Sequence, residues 1–210
     1  MFYRPKDNDH GMRRNPFKAL VSPRPIAWVS SQDGRGRANL APFSYFNALN
    51  EAPPLLAISV NGVKPTPPHE KDTLRNILET REYAINLVSA ALADAMNVSS
   101  AQFDAGVDEF EKAGLEKADC VEIAAPRVAA GPASFECRLF KHIELPSWVP
   151  EARADLLIGE VVGVHIDESV IREGKVDVTT YQPLSRLGYM DYAKVDSVFQ
   201  IKRPSTEDQR

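Results

Sequence analysis

Lys71-Asp72-Thr73 opens a segment, HEKDTLRNILETRE (69–82), in which Leu74, Ile77 and Leu78 recur at helical spacing. A helix start leaves backbone N–H groups without partners and carries the positive end of the helix dipole. Lys71 adds a cation there and Thr73 a hydroxyl, and together these make a seat for a phosphate. The same residues also read as an ordinary helix start, with Asp72 or Thr73 as cap and Lys71 as a solvated charge. On the residues alone both readings stand.

A second stretch, ANLAPFSYFNAL (38–49), sets Asn39, Ser44 and Asn47 into an apolar, aromatic run, and Pro42 removes one backbone donor. A wall of Leu40, Ala41, Pro42 and Phe43 edged by Asn39 and Ser44 would hold a planar heteroaromatic ligand. It would equally serve as a core strand in which Asn39 and Ser44 satisfy turn backbone and Pro42 marks a bulge or sheet edge.

The usual catalytic sets are missing. His10, His69, His142 and His165 are scattered with no HExxH spacing, and Ser30-Ser31 lies in a strand pattern rather than a GxSxG elbow. Cys120 and Cys137 form no CxxC pair and read as reduced thiols. The acidic residues are expected on solvated helical faces, with no paired carboxylates and no metal site. An enzyme with this inventory would rely on a cofactor for its chemistry.

These segments must be held by a fold. With 210 residues and 43% hydrophobic content, the chain can bury a full core. A net charge of −4 and a pI near 5.6 argue against nucleic acid or an anionic membrane as the main partner, so any anion site must be local. The polar start MFYRPKDNDHGMRRN and the lack of a long apolar run lead us to expect a soluble, cytoplasmic protein.

IAWVSS (26–31), QDGRGRA with its Asp33-Gly34 pair, and NLAPFSYF read as a hairpin, and LLAISV (55–60) follows the Pro53-Pro54 break as a third strand. The proline-rich GVKPTPPHE (62–70) is a loop that could fix the helix start. YAINLVS (83–89) returns to strand, ALADAMNVSSAQF (91–103) reads as a second helix, and DEFEKAGLEKA as a polar surface helix or loop. FECRLFKHIEL (135–145) and ADLLIGEVVGVHIDESV (154–170) carry long β patterns. At least six turn-linked strands, interrupted by two or three helices rather than alternating with them, predict an antiparallel barrel with helical insertions. Without an internal repeat or low-complexity linker, we expect one domain over 1–210.

In order, SPRPIAWVSSQDGRGRANLAPFSYFNAL, PPLLAISV, EKDTLRNI, YAINLV, GEVVGVHID and PLSRLGY resemble the flavin reductase-like, FMN-binding split-barrel family, from about Ser22 to Tyr189. The resemblance implies a mainly β, Greek-key split barrel with helical insertions, assembled as a homodimer with FMN near the subunit interface. By it, Ser30, Ser31, Asn39, Leu40, Ala41, Pro42 and Ser44 surround the isoalloxazine and ribityl chain. Ser59, Lys71 and Thr73 lie at the phosphate, and Arg186 and Tyr189 approach the flavin from the late segment. It also implies hydride transfer from NADH or NADPH to flavin, with electrons passed to free flavin, a monooxygenase partner, oxygen or a metal complex. The alternative is a non-catalytic FMN electron carrier or redox sensor of the same fold. The PTPPHE loop and the DEFEKAGLEKADC insertion depart from the simplest members and bear on the substrate side.

Overall fold

A computed structural model describes residues 1–65, 68–149 and 152–204. The early hairpin forms from β1 (Ala27–Gln32) and β2 (Ala38–Phe43), paired antiparallel with Ser31 opposite Asn39 and Val29 opposite Ala41. Its loop is closed by Asp33, whose Oδ1 accepts the backbone N–H of Arg35 and of Arg37 at 3.0 and 2.9 Å. Gly36 takes the left-handed conformation the turn requires (φ +79°).

The stretch 38–49 is two strands. The chain breaks at Ser44-Tyr45 and continues as β3 (Phe46–Glu51), which pairs with β4 (Pro54–Asn61) instead of extending β2. With β5 (Glu82–Leu87), β6 (Ala133–Glu144) and β7 (Ala154–Ile166), these strands make an antiparallel sheet in the order β2-β1-β5-β6-β7-β4-β3. Its two edge strands, β2 and β3, are joined by two residues. The edges therefore adjoin, and the sheet curls into an open barrel split between them.

Side-chain alternation fills both faces. Ala27, Val29, Phe43, Ile58, Ile85 and Leu157 meet inside the barrel. Trp28, Leu40, Met96, Phe110 and Val128 form a second core outside it. Strand β1 is buried on both faces, its two serines as well as its apolar residues. Two glycines of the β7 segment mark close approaches: a Cβ at Gly159 would lie 2.1 Å from the Tyr83 hydroxyl, and one at Gly163 would lie 3.1 Å from the Glu136 carboxyl carbon.

Helix α1 (Asp72–Thr80) begins after Lys71, which holds extended backbone at the N-cap, and ends at Arg81 in the left-handed conformation (φ +66°). It sends Leu74 and Ile77 into the inner core and Asn76 toward Ser31. Helix α2 (Ala93–Val98) is shorter than the sequence pattern predicts. Ser99 and Ser100 turn their hydroxyls back to the carbonyls of Met96 and Asn97 at 2.8 and 2.6 Å, and these local bonds compete with further helix.

The DEFEK segment also differs from expectation. It forms α3 (Glu109–Lys112), with Phe110 fully buried and Glu109 nearly so. The Glu109 carboxylate accepts the Leu40 N–H at 3.0 Å, so a donor of edge strand β2 is satisfied by a side chain. Of the proline-rich loop 62–70, Thr66 and Pro67 lie outside the described residues; Lys64–Pro65 and Pro68–His69 pair on either side of them. Arg24–Pro25, ahead of β1, pairs with Leu184–Arg186, which in turn pairs with Tyr192–Lys194. This small sheet brings the late PLSRLGY segment beside the arginine that precedes the first strand. No helix among the described residues is long and apolar enough to cross a membrane.

Candidate functional site

Where α1 starts beside the outer end of β2, Asn39, Ala41, Pro42, Lys71 and Thr73 line a pocket of about 120 Å³. Asn39 and Thr73 are both buried, and Asn39 Nδ2 donates to Thr73 Oγ1 at 2.9 Å, tying the strand to the helix start. Lys71 Nζ stands 5.7 Å from the centre of the Phe43 ring. Burial, and secondarily the nearby Lys18, push its pKa below the usual lysine value. Among the described residues no carboxylate pairs with it.

Pro42, Phe43 and Ser100 also line a larger cleft of about 1230 Å³. This exceeds the ~300–1,000 Å³ of most small-molecule sites, leaving room for two planar ligands. Its walls include Trp148, Tyr189, Met190 and Tyr192 together with Arg14, Lys18, Arg24 and Arg186. Among the described residues no aspartate or glutamate lines it.

Arg24 is the anchor. It is 6% exposed, and its guanidinium donates to the backbone carbonyls of Lys18, Val21 and Leu187, the last at 2.8 Å, with Nε 3.5 Å from Ser44 Oγ. Held by carbonyls, the Arg24 guanidinium is fixed at the cleft wall. It also fastens together the helical turn Phe17–Leu20, the β2–β3 break and the late segment.

The residues singled out in the sequence thus fall into four groups. Asn39, Ala41, Lys71 and Thr73 line the small pocket; Ser44, Arg186 and Tyr189 line the cleft; Pro42 lines both. The side chains of Ser30, Ser31, Leu40 and Ser59 line neither. Ser30 and Ser31 are fully buried and accept from Asn86 and Asn76 at 3.0 and 3.4 Å. Leu40 packs in the outer core, and Ser59 donates to Asn61 at 2.9 Å. Sequence reasoning did not single out Arg14, Lys18 or Trp148, whereas Phe43, expected in the ring wall, lines both spaces. For Arg24 the signal was its place between two prolines just ahead of the first strand.

The expectation that acids lie on solvated faces is corrected on β6 and β7. Glu136 is buried and accepts the backbone N–H groups of Val121, Glu122 and Ile123 at 2.9, 2.7 and 3.2 Å, with His165 Nε2 2.5 Å away. Burial alone would raise its pKa, but these partners hold it below the ordinary carboxylate value. Asp155, fully buried, is 2.6 Å from His142 Nε2 and takes Arg153 Nε at 2.7 Å. Cys120 lies beside Glu136 and His165, and its thiol is pushed up to about 12, first by burial and then by the Glu136 charge. A thiol so disposed stays protonated and unreactive at neutral pH.

An open antiparallel barrel whose split edge carries a cationic, aromatic-walled cleft defines a split-barrel protein of the flavin-binding class. The chain belongs to the flavin reductase like domain family, which it matches over residues 20–191. An uncharacterized protein of Aquifex aeolicus is 36% identical over 184 residues, 87% of this chain and 90% of that one. Among solved structures, nitrilotriacetate monooxygenase component B from Bacillus cereus is similar with a TM-score of 0.85 and 30% identity, covering 96% of this chain and 98% of that one. The 2-nitrobenzoate 2-nitroreductase of Pseudomonas fluorescens is similar with a TM-score of 0.82 and 29% identity, covering 98% of each. Membership in this family assigns the chain a flavin-related function.

Proposed function

We propose that the protein is an FMN-dependent oxidoreductase that takes a hydride from NADH or NADPH and passes the electrons to a second acceptor. The observation that carries this reading is the cleft lined by Arg14, Lys18, Arg24 and Arg186, with no carboxylate among its described lining residues, and beside it the pocket of Lys71, which Asp72 and Glu109 also line. In a chain of net charge −4, such a concentration of cations calls for an anion.

The residues present fit FMN. Lys71 and the first N–H groups of α1 suit its phosphate, Asn39 holds Thr73 toward the same seat, and Pro42 with Phe43 offers a flat wall for its ring. When bound, FMN supplies a two-electron acceptor, so the chain needs to supply no nucleophile or acid–base pair. Its residues instead bind, orient and exclude water. Arg24 keeps Ser44 and Leu187 in place beside the ring wall, and Trp148 adds an aromatic face to the cleft lining.

The working unit in this proposal is a homodimer. Phe140, Trp148, Val164 and Phe199 are 58, 72, 54 and 85% exposed, more large apolar surface than a monomer ordinarily leaves in water. Light scattering at micromolar concentration should give twice 23.3 kDa, and a flavin-loaded monomer would overturn this assembly. Likeness to a monooxygenase component supports an oxygenase partner as electron acceptor.

The reading is tested by titrating the flavin-free protein with FMN and following quenching of flavin fluorescence, then adding NADH or NADPH without oxygen. Saturable FMN binding and bleaching of the flavin band are expected. Absence of FMN binding would overturn it.

A further inference from the structure

Cations line both the small pocket and the large cleft. Lys71 belongs to the small pocket, whereas Arg14 and Arg186 line only the large cleft, together with Tyr189 and Tyr192. The guanidinium of Arg186 lies 4.4 Å from the centre of the Tyr192 ring and donates to the Tyr189 carbonyl. That of Arg14 lies 5.7 Å from the centre of the Tyr189 ring. Tyr189 is held at φ +57°, a conformation uncommon outside glycine, which fixes where its ring and carbonyl stand between the two arginines. The result is an alternating rim, Arg14–Tyr189–Arg186–Tyr192, with both arginines free of carboxylate partners among the described residues.

Each component has a nucleotide counterpart. A guanidinium is a planar donor that engages phosphate in paired hydrogen bonds, and stacking on a ring keeps it oriented without neutralising it. The tyrosines, 42 and 38% exposed, present ring faces on which a base can stack. Sites that select NADH place an acid against the ribose 2′-hydroxyl, whereas arginine accommodates the 2′-phosphate of NADPH. Here the described lining residues include two suitable arginines and no acid.

We propose that this rim seats the adenosine 2′-phosphate of the electron donor, with Arg14 and Arg186 as its specificity-determining residues, so that the enzyme uses NADPH in preference to NADH. The inference rests on the reading of the cleft as a flavin reductase site. In the reaction the C4–H bond of the donor's dihydronicotinamide breaks and its electron pair leaves with the hydrogen as hydride. Bound FMN would supply the hydride acceptor, the donor would leave as NADP⁺, and solvent would supply the proton that completes the reduced flavin. In this proposal the FMN phosphate sits at Lys71 in the small pocket and the 2′-phosphate at Arg14 and Arg186 in the large cleft, so the two do not compete.

The test is equilibrium binding by calorimetry, with FMN-loaded protein titrated with NADP⁺ and with NAD⁺. Wild type should bind NADP⁺ at least about 10-fold more tightly, the scale of one charge-assisted phosphate contact. Arg14→Ala, in a segment outside helix and sheet, and Arg186→Ala should each weaken NADP⁺ by about 10- to 100-fold while NAD⁺ affinity changes less than about 3-fold. Because Arg186 lies in the small sheet, its variant is accompanied by a thermal melt, and Arg14→Ala carries the test if the sheet is disturbed. Equal wild-type affinity for the two nucleotides, or equal loss of both in Arg14→Ala, overturns the inference. FMN binding is measured on the same samples: protein that binds FMN but shows no NADP⁺ preference refutes the rim assignment alone, whereas protein that fails to bind FMN refutes the flavin reading beneath it.

Discussion

On β6 and β7 the buried acids are matched: Glu136 by three backbone N–H groups and His165, Asp155 by His142 and Arg153. Along the cleft, Arg14, Arg24, Arg186 and the adjoining Lys71 meet carbonyls and ring faces, and no aspartate or glutamate is among the described residues that line the cleft. One chain therefore uses charge in two ways. Matched charge closes a fold, because a buried ion is tolerated only with its partners. Unmatched charge is a standing cost in the empty protein that an anionic ligand relieves.

The largest effect should come from unmatching the first region. Glu136→Ala leaves three N–H groups, one of them on buried Ile123, and His165 without their acceptor, and removal of one side of a buried charged set costs about 3–5 kcal/mol. Urea unfolding should register that loss, while FMN affinity of the folded protein stays as in wild type. The pH dependence has a definite sign. The folded-state pKa of Glu136 lies below the ordinary 4.5, so its stabilisation is fully present at neutral pH and is lost as pH falls below about 4.5. Glu136→Gln should flatten the acid limb of the stability curve; an unchanged limb would show that other carboxylates govern it.

Lys71 is the converse case. Lys71→Ala should weaken FMN by about 1.5–3 kcal/mol, roughly 10- to 150-fold, and leave riboflavin affinity unchanged, since only FMN carries the phosphate. In the flavin-free protein the burial that depresses its pKa disfavours the charged form, so folding stability at neutral pH should hold or rise on substitution. A variant that loses both flavins equally, or that melts earlier without ligand, would place Lys71 among the matched charges and erase the contrast.

The legibility of these two regions in the sequence also differed. The β1–β2 hairpin, the helix start at 71–73 and most strands follow from local patterns, and so does the small pocket, because Asn39, Ala41 and Pro42 sit on one strand and Lys71 and Thr73 at one helix end. The break at Ser44-Tyr45 was hidden because the apolar run continues through it. The matched acids were hidden for another reason: Glu136 and His165 are 29 residues apart, and nothing in FECRL marks its glutamate as buried. Arg24 meets Leu187 across 163 residues, a contact that only the small sheet creates. α3 reads as polar because its burial concerns two of its four residues, Glu109 and Phe110.

The smallest effect should be found at Asn39, where the two uses of charge meet. The sequence reading gave its amide to the flavin, yet Nδ2 donates to Thr73 Oγ1 at 2.9 Å, and both side chains are buried. An amide so engaged acts on the cofactor through Thr73 by fixing where that hydroxyl stands at the phosphate seat. Asn39→Leu keeps approximate size and removes one neutral hydrogen bond, so the flavin-free protein should lose about 0.5–1.5 kcal/mol of stability. FMN affinity should fall by a similar or smaller amount, and riboflavin affinity should not change. Asn39→Leu and Thr73→Val should couple: the double variant loses little more FMN affinity than either single one, because both remove the same contact. The potential of bound flavin separates this role from a direct one. Loss of a donor to the reduced ring would lower the potential by tens of millivolts, about 30 mV for each 1.4 kcal/mol in a two-electron couple. A positioning role leaves it within a few millivolts of wild type, so a shift of about 30 mV on the folded, FMN-loaded variant would return the Asn39 amide to the ring.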